Sequence, residues 1–205
     1  MRFSPEGALN VLTSLRSRTT LLAVILAVTS LTLSPVAHAA DLTFTGTVLG
    51  PDGQPVPGAI VGMAHPDLGM TRRGWTEVAA GEDGRFSLTV AWDEGPWVQY
   101  CLVARSEGLA MAWTWVRADE EAEIRLGEET ATCSGRIVDP DGDPVPGADV
   151  ILRSIYRDRG GSMESAYLSH DASTPLRVTS DERGVFAIPD LPPDTTVSLR
   201  AFANG

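Results

Sequence analysis

Residues 50–59 read Gly-Pro-Asp-Gly-Gln-Pro-Val-Pro-Gly-Ala, and residues 139–148 read Asp-Pro-Asp-Gly-Asp-Pro-Val-Pro-Gly-Ala. This self-similarity indicates an internal repeat. In the first copy, Pro51 and Asp52 suit the centre of a type I turn, and Gly53 can adopt the positive φ that follows. The two later prolines cannot donate to a β-ladder and therefore favour the edge of a sheet. The phrase predicts a strand, a tight turn and a second strand.

The similarity extends to both sides of this phrase. Residues 44–48, Phe-Thr-Gly-Thr-Val, match residues 133–137, Cys-Ser-Gly-Arg-Ile. Further along, residues 83–88, Asp-Gly-Arg-Phe-Ser-Leu, are matched by Arg-Gly-Val-Phe-Ala-Ile at 183–188. Each copy is therefore the size of one small β-domain.

These motifs resemble the carboxypeptidase regulatory-like domain, a transthyretin-like β-sandwich found in many secreted bacterial proteins. The resemblance implies an all-β fold of two tandem Greek-key sandwiches of the seven-strand type. We expect residues 1–39 to be a signal peptide, residues 42–127 the first sandwich and residues 132–205 the second. Because such sandwiches host many functions, the resemblance predicts architecture rather than activity.

The N-terminal segment has the composition of an export signal. Two arginines precede an apolar run from Leu21 to Leu33, and Ala-His-Ala at 37–39 offers a cleavage site after Ala39. The thirteen residues of that run, at about 1.5 Å each in a helix, fall short of a hydrocarbon core of roughly 30 Å. An uncleaved anchor is the alternative. We expect a secreted, cell-surface or periplasmic protein with no membrane segment after cleavage.

The chain is acidic, with a net charge of −11, and all of its 16 basic residues are arginine. Residues 1–39 carry three arginines and one glutamate, so the charge without them is −13. Such a chain repels phosphate backbones, and we expect no nucleic-acid partner. The absence of lysine also excludes the Lys–Asn isopeptide bond of the related collagen-adhesin B-type domains.

Short apolar stretches alternate with Gly, Pro and Asp through the first repeat, which predicts seven strands. They are Thr45–Leu49, Ala59–Ala64, Gly74–Ala79, Arg85–Ala91, Val98–Ala104, Ala110–Arg117 and Ala122–Leu126. On the fifth predicted strand, side chains alternate between two faces. We expect the face that carries Val98, Tyr100, Leu102 and Ala104 to be core, and Gln99, Cys101 and Val103 lie on the opposite face.

The second repeat differs from the first by an insertion and by missing strands. Its first turn follows the earlier one by 89 residues and its Gly-x-Phe motif by 100, which indicates 11 extra residues in or near 154–173. That polar, Gly-rich stretch predicts a surface loop. Nothing after residue 197 corresponds to residues 109–126, so the sandwich has open edges. Either the chain is a fragment, or another chain donates strands to the open edge.

Residues 127–132 are too few for a free linker, which predicts two sandwiches lying nearly end to end. No catalytic constellation is visible. The peptidases that carry this domain bind zinc in a separate domain, whereas His65 and His170 here lack a His-x-x-Glu partner. No Gly-x-Ser-x-Gly elbow accompanies the serines near His170. We expect no enzyme and no cofactor.

Two groups of side chains are candidates for ligands or crosslinks. Three aspartates, Asp139, Asp141 and Asp143, lie within five residues, as in loops that bind hard cations such as Ca²⁺. The first repeat makes the same turn with one carboxylate, so we expect a turn without a metal and keep a metal site as the alternative. Cys101 and Cys133 could form a disulfide in an exported protein, closing a loop of about thirty residues between the repeats. Two buried free thiols are the other possibility.

All five tryptophans lie in the first repeat: Trp75, Trp92, Trp97, Trp113 and Trp115. Trp113 and Trp115 lie two apart on a predicted strand, so both rings point to one face beside Met111. Exposed rings of this kind stack on sugars, which predicts a glycan platform. The alternatives are that this face is core or packs against the second repeat.

Two functions therefore stay open. The chain is a structural spacer or adhesion module that binds a cell-surface protein, or it is a carbohydrate-binding module that uses the aromatic platform. The sequence names neither ligand nor partner.

Overall fold

The computed structural model describes residues 40–64, 74–92, 99–168 and 176–203, and over these ranges the chain is all-β. The predicted signal peptide, residues 1–39, lies outside the described residues, as do Trp97, His65 and His170. Within the described ranges, no helix has the length and apolar character to cross a membrane.

Across its described residues, the first repeat forms seven strands. They are β1 (Ala40–Leu49), β2 (Ile60–Ala64), β3 (Trp75–Ala79), β4 (Arg85–Trp92), β5 (Tyr100–Ser106), β6 (Leu109–Val116) and β7 (Glu121–Arg125). All seven predicted strands are confirmed, and β1 begins five residues before its predicted start. One sheet has the order β4-β1-β7, with β7 parallel to β1, and the other has the order β3-β2-β5-β6.

The turn after β1 forms as the phrase predicts. Gly53 has a φ of 78°, and its N–H donates to the Gly50 carbonyl at 3.0 Å. The Asp52 carboxylate accepts the N–H of Gln54 at 3.0 Å, which satisfies one turn donor. The second copy repeats this geometry, since Gly142 has a φ of 91°. Glycine is required at both positions because other L-residues rarely adopt a positive φ.

The second repeat forms six described strands. They are β8 (Ala131–Arg136), β9 (Asp149–Arg159), β10 (Ser162–Tyr167), β11 (Arg177–Thr179), β12 (Val185–Leu191) and β13 (Thr195–Phe202). β8 pairs with β12, and β9 pairs with β13 along one edge and with β11 and β10 along the other. The two repeats share registers, since Gly46 lies opposite Phe86 on β1–β4 and Gly135 opposite Phe186 on β8–β12.

As far as Tyr167, the inserted stretch is a β-hairpin, so the prediction of a surface loop over this part is wrong. β9 continues to Arg159, and β10 returns antiparallel to it after a turn at Gly160 and Gly161. These two glycines have φ values of 62° and 93°, which suit the two-residue turns that match the twist of paired strands. A Gly-Gly pair between alternating residues is the sequence signal that indicates this hairpin.

The sheet β3-β2-β5-β6 lies between two cores. On β5, Tyr100, Leu102 and Ala104 pack into the first core, as predicted, together with residues of the β4-β1-β7 sheet. The opposite face of β5 and β6 presents Val103 and Trp113 to a second core, whose other members come from the second repeat. The predicted end-to-end arrangement is therefore wrong, because the second repeat packs against the outer face of this sheet.

Candidate functional site

Trp113 is a core residue of the contact between the repeats. It is 9% exposed and belongs to the same apolar cluster as Met111, Leu152 and Phe186. The guanidinium of Arg157 lies 4.8 Å from the centre of its ring, a cation–π geometry. The packing of the second repeat therefore covers one of the two rings of the predicted platform, which is the alternative that the sequence left open.

Trp115 and Trp75 are each held by a hydrogen bond at the indole N–H. Trp115 is 43% exposed, and its Nε1 donates to the Ser165 carbonyl of β10 at 2.9 Å. Trp75 is partly buried, and its Nε1 donates to Glu77 Oε2 at 2.7 Å. The side chain of Trp92 lies outside the described residues, although its backbone ends β4. The described rings therefore present Trp115 alone as an exposed tryptophan.

The core face of β8 is incompletely covered. Phe44 and Val48 of β1 are fully buried, whereas their counterparts, Cys133 on β8 and Ile137 directly after it, are only partly buried. β1 pairs with β4 in the same register as β8 pairs with β12. The difference in burial therefore arises from the other elements that cover these residues. In the first repeat, β7 lies beside β1 and contributes Ala122 and Ile124 to the core.

The same difference separates β13 from β5. Tyr100 and Leu102 of β5 are at most 1% exposed, whereas the matching Val197 and Leu199 of β13 are only partly buried. β5 lies between β2 and β6. Among the described residues, β13 pairs with β9 alone, so the position that β6 holds beside β5 is open beside β13.

The open edge of β8 presents backbone groups as well as apolar surface. The N–H of Ile137 donates to the Gly184 carbonyl at 2.8 Å, just as Val48 donates to Gly84 at 2.9 Å, so these residues face the β12 or β4 side. Because backbone groups alternate along a strand, those of Ser134 and Arg136 face the opposite side, where the first repeat has β7. Among the described strands, only β12 pairs with β8. We call this position beside β8 the β8 slot.

Comparison with known proteins identifies the part of the chain that contains the β8 slot. Residues 132–205 match the carboxypeptidase regulatory-like domain. The match covers the whole second repeat and confirms the resemblance for that repeat. No curated protein sequence matches the chain.

Several solved structures are also similar to the chain. A streptococcal ancillary pilin is 10% identical, with 80% of this chain and 59% of that one covered and a TM-score of 0.28. The shaft pilin of Lactobacillus rhamnosus GG is 11% identical, with 79% and 86% covered and a TM-score of 0.31. The TIE protein of Bacillus anthracis is 15% identical, with 80% and 31% covered and a TM-score of 0.30. At such values these likenesses establish neither a shared fold nor a shared function.

Within the matched segment, Asp139 serves the turn itself. Its Oδ1 accepts the N–H groups of Asp141 and Asp143, each at 2.9 Å. Within the described part of the chain, no three His, Cys, Asp or Glu side chains are placed to hold a metal ion. A cation site at these three aspartates stays a prediction that this geometry does not favour.

Cys101 and Cys133 are free thiols in the structure, and both contact the second core. Burial raises the pKa of Cys101 to about 12, although a hydrogen bond from the backbone of Tyr167 acts in the opposite direction. The thiol of Cys101 is therefore a poor nucleophile at neutral pH. The disulfide between the two cysteines stays a prediction.

The sequence did not reveal that the second repeat shares its core with the first. Met111 and Trp113 follow the alternation of an ordinary strand, and nothing local to β6 shows which repeat covers them. The usable signal is that β5 and β6 are apolar on both faces, which is typical of a sheet buried between two layers.

Proposed function

We propose that this chain is an exported, non-catalytic protein-binding module with two carboxypeptidase regulatory-like domains, at residues 42–127 and 132–205. We propose that the edges of β8 and β13 in its second domain bind added β-strands, which a partner protein or further residues of the same polypeptide can supply. The shared registers of Gly46–Phe86 and Gly135–Phe186 support the two-domain division. Export rests on the composition of residues 1–39.

One observation carries the proposal: the core faces of β8 and β13 are half covered, while their counterparts on β1 and β5 are buried by β6 and β7. Unpaired strand edges next to incompletely covered apolar side chains are the usual acceptor of an added strand, because ladder bonds and apolar burial form together. A partner that fills these positions would complete a sandwich like that of the first repeat.

A peptide copy of residues 109–127, which contains β6 and β7, tests the proposal. It is titrated into isotope-labelled protein, and amide shifts and hydrogen exchange are followed residue by residue. We expect protection to appear in β8 and β13 and the midpoint of thermal unfolding to rise. Changes confined to β1 and β5, or no change at all, would contradict strand uptake by the second repeat. A protein that self-associates without peptide would identify a second copy as the occupant.

Carbohydrate binding is the second candidate, and the exposure of Trp115 is the observation that favours it. Trp113 cannot stack on the same sugar as Trp115, because the second repeat covers the Trp113 ring. A glycan array is therefore screened with the native protein and with Trp115→Ala. Binding that the variant loses would support a sugar site at Trp115, whereas equal binding, or none, would remove it.

A further inference from the structure

We infer that the β9–β10 hairpin is a strap that fixes the second repeat to the first and covers the two tryptophans of β6. The strap comprises residues 154–167, over which β9 and β10 pair. The spacing of the motifs indicates 11 residues in or near this stretch that the first repeat lacks. Both sides of the contact lie within residues 99–168, so the strap does not depend on what binds at β8 or β13.

The base of the strap is apolar. Ile155 of β9 and Ala166 of β10 lie opposite one another in the ladder, and both are fully buried. They belong to the same apolar cluster as Val103, Met111 and Trp113 of the first repeat. Burial of this kind supplies attraction without a preferred direction, so further contacts are needed to set the angle between the repeats.

The middle of the strap holds a cation over the Trp113 ring. The guanidinium of Arg157 lies 4.8 Å from the centre of that ring, and its Nη2 donates to Glu164 Oε2 at 3.1 Å. Glu164 lies opposite Arg157 on β10, and Nε of Arg159 lies 3.4 Å from the same carboxylate oxygen. Because the carboxylate holds Arg157 in place, the ring of β6 is tied to both strands of the strap.

The edge of β10 that faces away from β9 meets the first repeat through hydrogen bonds. The indole N–H of Trp115 donates to the Ser165 carbonyl at 2.9 Å, and a backbone hydrogen bond joins Tyr167 to the Cys101 thiol. Ser165 and Tyr167 lie two apart, so their backbone groups point to the same edge of β10. Since hydrogen bonds are directional, these two contacts fix the angle at which the strap meets β5 and β6.

The strap therefore has two effects. It ties the repeats into one body, and it closes the face of β6 on which Trp113 and Trp115 lie. Without it, the short connection from Arg125 to Ala131 would still join the repeats covalently, but it would not hold their angle. The remaining apolar contact would then allow the repeats to unfold separately.

Two deletions test the strap, and both keep the turn at Gly160 and Gly161. Each removes an even number of residue pairs, which preserves the alternation of the ladder. The long deletion removes residues 156–159 and 162–165, and with them Arg157, Glu164 and Ser165. The control deletion removes only residues 158–159 and 162–163 and keeps those three side chains and their contacts with β6.

We expect the long deletion to split the single calorimetric transition of the native protein into two. Hydrogen exchange at the indole N–H of Trp115, followed by NMR, should become faster by about tenfold or more, because its acceptor is gone. The control deletion should leave the single transition and the exchange rate as they are in the native protein. One transition with unchanged exchange in the long deletion would overturn the strap, and so would equal effects of the two deletions.

Point variants keep the test decisive if the long deletion does not fold. Arg157→Gln and Trp113→Leu are made singly and together, and the midpoint of chemical denaturation is measured for each. We expect the double variant to lose less stability than the sum of the two single losses, because the residues act as one contact. Additive losses would show that Arg157 does not hold the Trp113 ring, and would overturn the strap.

Discussion

At the scale of single residues, two glycines in matching positions differ in what surrounds them. A phenylalanine ring of the neighbouring strand packs against each of Gly46 and Gly135, where a Cβ would otherwise lie. At Gly46 that space is also close to the Ala122 carbonyl of β7. A ring can shift by a few tenths of an ångström, whereas a paired backbone cannot do so without breaking its ladder. The loss of stability on replacing each glycine by alanine therefore depends on whether a strand lies beside it.

Gly46→Ala should lower the free energy of unfolding by about 3 kcal/mol or more, and Gly135→Ala by about 1 kcal/mol, because overpacking costs most where backbone must move. Chemical denaturation of both variants measures the difference. Equal losses would mean that a strand already occupies the β8 slot.

Cys101 gives a prediction on pH. Its pKa is about 12 in the folded protein and 9.0 before burial, so between these values the folded state holds a proton that the unfolded state releases. Its contribution to stability is therefore complete below pH 9 and lost as the pH rises towards 12, by up to about 1.4 kcal/mol per pH unit. The comparison of native protein with Cys101→Ala isolates this term, and parallel stability curves above pH 9 would refute it.

At the scale of elements, the edge of β8 differs from the matching edge of β1. Alternation turns the N–H of Ser134 towards the β8 slot and that of Thr45 towards β7. Proline is tolerated at an edge strand where its missing N–H would face solvent, but not within a ladder. The same substitution should therefore have different consequences in the two repeats.

Thr45→Pro should destabilise the protein by more than about 2 kcal/mol, since it disrupts the β1–β7 ladder where Thr45 pairs with Glu121, and Ser134→Pro should cost less than about 1 kcal/mol. Ser134→Pro should nonetheless abolish uptake of the 109–127 peptide at β8. Thermal unfolding and the titration together measure both effects. If Ser134→Pro proves as damaging as Thr45→Pro, the edge of β8 is not open.

At the scale of the whole molecule, the two repeats share one apolar core through the outer face of β5 and β6. Trp113 lies in that core, whereas Trp115 lies at its margin and contacts β10 through the Ser165 carbonyl. The described residues form part of one compact unit. We therefore expect the repeats to unfold together.

Trp113→Ala should lower the free energy of unfolding by about 3–5 kcal/mol, because it leaves a large cavity in the shared core, and Trp115→Ala by about 1 kcal/mol. Calorimetry should show one transition for the native protein. Two separate transitions, with only one of them shifted by Trp113→Ala, would show that the shared core does not couple the repeats.

Much of the fold could be predicted from the sequence because its determinants are local. The turn at Gly53 follows from residue types with restricted φ, and the core face of β5 follows from the period of two in a strand. The polarity of the inserted stretch predicts a loop, but the β9–β10 hairpin forms there because Gly160 and Gly161 make a two-residue turn.

The sequence by itself determined the seven strands of the first repeat and the repeated turns at Gly53 and Gly142. The alternation of side chains along a strand predicts that Trp113 and Trp115 share a face. It does not predict what covers that face, because the covering residues come from a distant part of the chain. Only the tertiary structure decided that Trp113 is buried against the second repeat, and that Cys133 and Ile137 lack the cover that buries Phe44 and Val48. Burial depends on which elements pack against one another, and the sequence of a single strand does not determine its packing partner.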